Sequence, residues 1–296
     1  NAAAEIARPH LRQHEPMARH TSWRVGGPAD VYVEPHDLPE LQAFLAGLPA
    51  GTPLLWVGLG SNLLVRDGGF RGTVVCLGKG FAGIEAVDER TLTVGAAVPC
   101  AKLAQQLGRA GLAGGEFLAG IPGTVGGALA MNAGAHGGET WQRVRTVQTI
   151  DRAGNVHRRS PADYRIAYRC VEGPADEWFI GAEFAFEPAD AESVQAAIHA
   201  LLRRRAATQP LRQANAGSVF RNPPGDHAAR LIEAAGLKGL TVGKAQVSTV
   251  HANFIVNLGG ARAADIETLI DTLQQRVAAA FGVRLEPEVR RVGEAR

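Results

Sequence analysis

One glycine loop and four polar segments of this chain combine residue types that can do chemistry. The loop is Gly120-Ile121-Pro122-Gly123-Thr124-Val125-Gly126-Gly127, the centre of a stretch, residues 114–138, that holds nine glycines in 25 positions. Glycine costs backbone entropy on folding, so this density implies that something approaches the main chain closely. Bare N–H groups in such a loop can hold a phosphate, although the same glycines can also serve only to make tight turns. Tyr164-Arg165-Ile166-Ala167-Tyr168-Arg169 is either a plain alternating strand or a pair of arginines beside two aromatics that can grip an anion. Asn215-Ala216-Gly217-Ser218-Val219-Phe220-Arg221-Asn222-Pro223 suggests a hydroxyl presented on a tight turn, with a purely structural serine as the other reading. Val250-His251-Ala252-Asn253-Phe254-Ile255-Val256-Asn257 leads polar groups into an apolar strand, as satisfied core groups or as ligand contacts. In Leu285-Glu286-Pro287-Glu288-Val289-Arg290 two carboxylates two positions apart share one face of an extended segment. They make a charged edge strand, or, if one is buried, a carboxyl whose pKa rises toward what a proton donor needs.

The two commonest nucleotide loops are excluded. A P-loop needs Lys followed by Ser or Thr after its last glycine, and here Gly127 precedes Ala128 and Leu129. The nearest approach to a Rossmann fingerprint, Gly58-Leu59-Gly60-Ser61-Asn62-Leu63, lacks the third glycine. Any nucleotide must therefore be held by a different fold.

Composition sets the class. The 296 residues suffice for two or three domains, and 46% hydrophobic with 20% charged residues is an ordinary globular mix. The 36 glycines argue for many tight loops rather than disorder, because the apolar content stays normal. A net charge of +2 is too small for a nucleic-acid protein. Cys76, Cys100 and Cys170 are odd in number and far apart, which disfavours a disulfide framework and fits a reducing compartment. No Cys-x-x-Cys or paired His/Cys spacing points to a metal. With no signal-peptide pattern and no 18-residue apolar run, the expected location is the cytoplasm, away from the membrane.

The elements that must position these residues follow from periodicity. Residues 1–20 read as polar and peripheral. A strand is expected at 29–35, a helix at 38–48, a strand at 54–57 running into the Gly58 turn, and a strand at Leu63-Leu64-Val65. A strand at 73–77, a hairpin over 84–98 and a helix at 101–110 lead to the glycine loop. A hairpin follows at 144–150 and 155–158, then a strand at 178–186 and a helix at 191–208 that ends on Arg203-Arg204-Arg205. The last ninety residues read as a separate α/β layer: helix 227–235, strand 253–257, helix 265–280 and strand 284–292, with Asp265 as N-cap and Gly282 as C-cap.

Seven segments, in order and across almost the whole chain, resemble the UDP-N-acetylenolpyruvoylglucosamine reductase family of peptidoglycan synthesis. They are Thr21-Ser22-Trp23-Arg24-Val25-Gly26-Gly27, the run from Gly58 to Val65, residues 120–134, Tyr168-Arg169, residues 217–223, 251–257 and 285–290. The resemblance implies an α+β chain with the FAD-binding fold of the vanillyl-alcohol-oxidase type. Two α+β subdomains, residues 1–75 and 76–209, would hold FAD, and a C-terminal α/β domain, residues 210–296, would bind substrate. It implies that NADPH is the hydride donor and that the product is UDP-N-acetylmuramate.

The same resemblance assigns residues. Gly58, Leu59, Gly60, Ser61, Asn62 and Leu63, with Ile121, Pro122, Gly123, Thr124, Val125, Gly126, Gly127 and Asn132, would contact FAD. Arg169 and Glu288 would polarise the substrate carboxylate, and Ser218 would be the proton donor. Tyr168, Arg221, Asn222, His251 and Asn253 would contact the UDP-sugar. The chain departs from the family pattern at His136, where a tyrosine is common, at Cys170-Val171, and at Arg221, where lysine is usual. The short distance between Phe186 and Ser218 leaves no room for the tyrosine-bearing loop of one subgroup and points to the other, type II. Two alternatives stand beside this: a flavin oxidase of the same fold, and a non-catalytic nucleotide-sugar binding protein.

Overall fold

The computed structural model describes residues 10–296 as an α+β chain that gathers into two compact units. The first takes in residues 10–12, Val31–Gly58 and Gly72–Arg203; the second takes in Gln13–Asp30, Leu59–Arg71 and Arg204–Arg296. Of the N-terminal segment read as peripheral, residues 1–9 lie outside the described residues. Of the rest, His10–Pro16 is a mostly exposed strand, and the departure from that expectation is the burial of Glu15 and Met17.

The first unit is built on a five-stranded antiparallel sheet in the order Val156–Arg159, Val144–Asp151, Glu177–Ala185, Thr91–Gly95, Ile84–Ala86. Both expected hairpins are present in it. One face carries the core: Leu92, Val94, Val147, Ala182 and Phe184 pack with Leu103 and Leu107 of helix Cys100–Ala110 and with Val125 and Leu129 of the glycine-loop helix Val125–Met131. Val194 and Ile198 of helix Ala191–Thr208 close the same cluster. Elsewhere in the unit, Leu54, Leu55 and Trp56 pair in parallel with Thr73, Val74 and Val75. That pairing delivers the chain to Gly58 at the end of a partly buried strand. The three cysteines are unpaired thiols, and burial pushes Cys100 up to about 12.

The second unit packs helices Ala228–Ala234 and Ala263–Phe281 on a three-stranded antiparallel sheet, Thr241–Val242, Ala245–Val247 and Ile255–Asn257. Ile266, Leu269, Ile270, Leu273 and Val277 form the buried stripe of the long helix, spaced at the helical period. That helix begins two residues earlier than its sequence suggests. Asp265 is not the N-cap; its carboxylate accepts the Arg262 N–H at 3.0 Å from the third helical position. The first two N–H groups, of Ala263 and Ala264, go instead to the carboxylate of Asp67 at 3.0 and 2.9 Å. Gly282 ends the helix in the left-handed region, as expected.

The strand expected over 284–292 is shorter. Only Arg290–Val292 is ladder-paired, in parallel with Leu63–Val65. Pro287 lacks an N–H and makes one isolated bridge to Phe220. Trp23, from the Thr21-Ser22-Trp23 segment, is fully buried in this unit's core; its indole N–H donates to the Ile255 carbonyl at 2.7 Å.

Candidate active site

The glycine turn after Trp56 and the glycine loop before Val125 are tied together at one point. A methyl group on Gly58 would lie 2.4 Å from the Thr124 hydroxyl, so only glycine allows that approach. Thr124 is the N-cap of helix Val125–Met131, its hydroxyl accepting the Gly127 N–H at 3.4 Å. Gly60 has φ +61, and a Cβ there would sit 2.0 Å from the His20 carbonyl oxygen. Gly58 is therefore required by the Thr124 side chain, and Gly60 by the protein's own backbone.

The N–H groups of the two segments divide into used and available. Those of Ile121, Val125 and Gly126 donate to the carbonyls of Leu118, Val98 and Ala96. Among the described residues, no protein acceptor takes the N–H of Gly58, Leu59, Gly60, Ser61, Gly123 or Thr124. Backbone donors are rarely left without a partner, so those of Gly58, Gly123 and Thr124 in the first unit fit an anionic group such as a pyrophosphate. Gly127 fits too: a Cβ there would meet nothing nearer than 3.7 Å, leaving the protein itself without a reason for glycine in that helix. Of the remaining residues expected here, Leu63 is buried in its strand, and Pro122 is exposed.

Asn62 works in the second unit. Its side chain donates to the Glu288 carbonyl at 3.0 Å, and its own carbonyl accepts the Arg290 N–H at 3.0 Å. It thus fixes the Glu288 segment at one end. At the other, the Glu288 N–H donates to the Val219 carbonyl at 2.8 Å and the Arg221 N–H to the Glu286 carbonyl at 2.9 Å. Ser218, one residue before Val219, and Glu288 are held on adjoining strands of backbone. Glu288 is half-buried while Glu286 is exposed, a distinction that the sequence leaves open.

The turn that carries Ser218 has two supports. Gly217 takes φ +71, and its N–H donates to the Asn215 side chain at 2.9 Å. Asn253 accepts the Phe220 N–H at 3.0 Å and donates to the Phe220 carbonyl at 2.9 Å. Both ends of its buried amide are thereby engaged with the main chain. His251 Nδ1 accepts the Asn253 N–H at 3.2 Å, and the ring stands edge-on to Phe254. Burial first, then the charge of Lys238, holds the His251 pKa below the usual histidine value. Asn222 accepts the Ala228 N–H at 3.1 Å, at the start of helix Ala228–Ala234.

Arg169 lies in the first unit. The Tyr-Arg segment is a hairpin, Arg165–Ala167 paired with Cys170–Glu172, with Tyr168 and Arg169 as its two-residue tip. Arg169 has φ +54, and its guanidinium donates to the carbonyls of Asn132 at 3.3 Å and Gly134 at 2.6 Å while lying 4.9 Å from the Tyr168 ring. Tyr168 is exposed. The Asn132 side chain donates to Glu139 at 2.9 Å and to the Ala167 carbonyl at 3.2 Å, and accepts the Trp141 N–H at 3.1 Å. The importance of Glu139 and Trp23 is missed by local reading, because their partners are set by tertiary structure.

A chain with a glycine-lined set of backbone donors and an α+β fold belongs to a recognisable class, and residues 29–160 match a family model described as a FAD binding domain. Residues 209–292 match the C-terminal domain model of UDP-N-acetylenolpyruvoylglucosamine reductase. The reductase of Alkalilimnicola ehrlichii is 59% identical over 285 residues, covering 96% of this chain and 95% of that protein. That of Legionella pneumophila strain Corby is 51% identical over 95% of this chain and 92% of its own length. The crystal structure of the Thermus caldophilus reductase, MurB, superposes with a TM-score of 0.83 at 34% identity, over 97% of this chain and 99% of that one. The chain belongs to the UDP-N-acetylenolpyruvoylglucosamine reductase family. It is an oxidoreductase with a FAD-binding domain, and the resemblance in its sequence and the expected fold class both hold. No helix among the described residues is long and apolar enough to cross a membrane.

Proposed function

We propose that this protein reduces UDP-N-acetylglucosamine enolpyruvate to UDP-N-acetylmuramate in the cytoplasm, with NADPH as electron source. The observation that carries the reading is the pinned pair in the second unit: Ser218 and Glu288 on adjoining backbone, joined by the Glu288 N–H to Val219 carbonyl bond of 2.8 Å. A hydroxyl and a half-buried carboxyl on adjoining backbone suit delivery of a proton next to a developing enolate.

When bound and reduced by NADPH, FAD would supply the hydride; the protein's residues bind, orient and handle the proton. The N–H groups of Gly58, Leu59, Gly60, Ser61, Gly123 and Thr124 would hold the cofactor's pyrophosphate, with Gly127 giving it room. Arg169 sets a fixed positive fork against the substrate carboxylate, a geometry suited to two-point contact. Glu288 assists there in its protonated form, donating to the enol oxygen as negative charge develops. Ser218 Oγ protonates the carbon next to the carboxylate. Tyr168, Arg221, Asn222 and His251 line the UDP-sugar, and Asn253 holds the Ser218 turn. The division at residues 75 and 209 belongs to this proposal; the C-terminal family match, which begins at 209, supports its second boundary alone. The helix Ala191–Thr208, which fills most of the interval between Phe186 and Ser218, supports the type II subgroup.

The test is the visible absorption spectrum of the purified protein before and after anaerobic NADPH. A flavin spectrum that bleaches with NADPH and returns on adding the enolpyruvyl UDP-sugar is expected. A flavin that ignores NADPH and turns over with oxygen would make it an oxidase, and a colourless protein that takes up no FAD would leave only a nucleotide-sugar binder.

A further inference from the structure

Arg169 occupies a backbone position that its own residue type disfavours. In the two-residue tip between Ala167 and Cys170 it takes φ +54, a left-handed conformation that costs a non-glycine residue on the order of 1 kcal/mol or more. The hairpin that carries it packs Ile166 and Val171 on the core, while Arg165, Ala167, Tyr168 and Glu172 are exposed. What holds the tip is residues 132–134. Asn132 donates to the Ala167 carbonyl just before the tip, and the carbonyls of Asn132 and Gly134 take the Arg169 guanidinium.

Residues 132–134 are in turn held by the Asn132 side chain and by Thr140, whose N–H and hydroxyl donate to the Ala133 carbonyl at 3.0 and 2.7 Å. Asn132 is itself left-handed, φ +48, where it ends the glycine-loop helix Val125–Met131. Its buried amide donates to Glu139 Oε2 and accepts the Trp141 N–H. Glu139 pairs with Gly134 across a short hairpin whose tip is His136-Gly137, both at positive φ. A Cβ on Gly134 would lie 3.1 Å from both the Arg169 guanidinium and the Glu139 side chain, so the three groups converge there.

We infer that Asn132 and Glu139 are positioning residues for Arg169: together they fix the two carbonyls that aim its guanidinium. The inference rests on the proposal that Arg169 contacts the substrate carboxylate. It assigns the Asn132 side chain to Arg169 rather than to the cofactor. It also means that the helix of the FAD loop ends on the carbonyl that holds Arg169, so cofactor seat and substrate clamp share one rigid element. Supporting groups of this kind typically matter about 10- to 100-fold when a reacting geometry depends on them.

The experiment uses the FAD-loaded protein and separates its two half-reactions by stopped flow. Asn132→Gly keeps the left-handed helix end, which glycine favours, and removes the amide. Expected are a normal flavin content, flavin reduction by NADPH near the parent rate, and flavin reoxidation by the enolpyruvyl UDP-sugar slowed about 10- to 100-fold. Calorimetric affinity of the holoenzyme for UDP-N-acetylmuramate should fall as well, and the thermal midpoint should drop, because the Trp141 N–H loses its acceptor. Asn132→Asp, which faces Glu139 with a second carboxylate, should slow reoxidation further, and adding Glu139→Gln should recover part of the loss by restoring a donor–acceptor pair. This rescue is read even if the glycine variant folds poorly. Loss of FAD from Asn132→Gly, unchanged reoxidation, or no recovery in the double variant would each overturn the inference. Arg169→Ala run alongside separates the two levels: if it too leaves reoxidation and product affinity untouched, the role of Arg169 falls; if it abolishes them while the Asn132 variants do nothing, only the positioning role falls.

Discussion

The carboxamide of Asn253 closes on Phe220 from both sides, accepting its N–H at 3.0 Å and donating to its carbonyl at 2.9 Å. The two residues are 33 positions apart, and the amide thereby does for one residue what a neighbouring strand would do. Because Phe220 is two residues after Ser218, this bracket sets where the hydroxyl stands. Asn253→Ala leaves a buried N–H and a buried carbonyl without partners, each costing about 1–3 kcal/mol. Urea unfolding should therefore show a loss of roughly 2–6 kcal/mol. A stability within experimental error of the parent would mean that the bracket is dispensable.

Two adjacent glycines make opposite predictions. A Cβ on Gly126 would sit 3.0 Å from the Ala96 side chain and 3.2 Å from its carbonyl, so Gly126→Ala should destabilise the fold. A Cβ on Gly127 meets only the Thr124 hydroxyl at 3.7 Å, and alanine is favoured over glycine in a helix by about 0.5–1 kcal/mol. Gly127→Ala should unfold at the parent's urea concentration or above it, yet bind FAD at least tenfold more weakly by flavin fluorescence. Undiminished FAD affinity would show that the cofactor does not approach the backbone there.

How much of this was legible beforehand depends on the range of the interaction. Helices Ala191–Thr208 and Cys100–Ala110 and both sheet hairpins follow from periodicity and turn residues, which are local. The glycine loop and the Ser218 turn are visible because glycine marks backbone that a side chain would obstruct. The start of helix Ala263–Phe281 was misplaced because its first donors are satisfied by Asp67, 196 positions away. The segment 284–289 has the composition of a strand, but Pro287 breaks its ladder and Val219 and Phe220 provide its partners. Trp23 carries no local sign of being a core anchor, since Ile255, its acceptor, is 232 residues away. For the same reason nothing in a string of letters separates Asn253, which braces the main chain, from a ligand contact.

His251 gives the second unit a pH dependence with a definite sign. Its folded pKa lies below the ordinary value of about 6.5, chiefly through burial and then through the charge of Lys238, with Glu233 opposing. The fold therefore favours the neutral ring, the form whose Nδ1 can accept the Asn253 N–H. The stability this group contributes is complete above the unfolded pKa and is lost as pH falls from about 6.5 through the lower folded value. Urea midpoints measured between pH 8 and pH 5 should fall more steeply for the parent than for His251→Gln. Parallel curves would show that the ring titrates alike in the folded and unfolded chains.

Glu288 and Glu286 differ by two positions and share a face of the segment, but only Glu288 is half-buried and held at both ends of its peptide unit, through Val219 and Asn62. Glu286 is exposed, and its carbonyl serves the Arg221 N–H whatever its side chain is. Glu288→Gln should leave flavin reduction by NADPH intact and slow reoxidation by the enolpyruvyl UDP-sugar about 10²- to 10⁴-fold, the usual range for loss of a positioned proton donor. Ser218→Ala should behave the same way, and the two losses should combine to less than their product if the residues act on one developing charge. Glu286→Gln should alter neither half-reaction by more than about twofold, as expected for a solvated surface charge. Should Glu286→Gln instead abolish reoxidation while Glu288→Gln preserves it, the roles of the two carboxylates are exchanged, and the half-burial of Glu288 is packing alone.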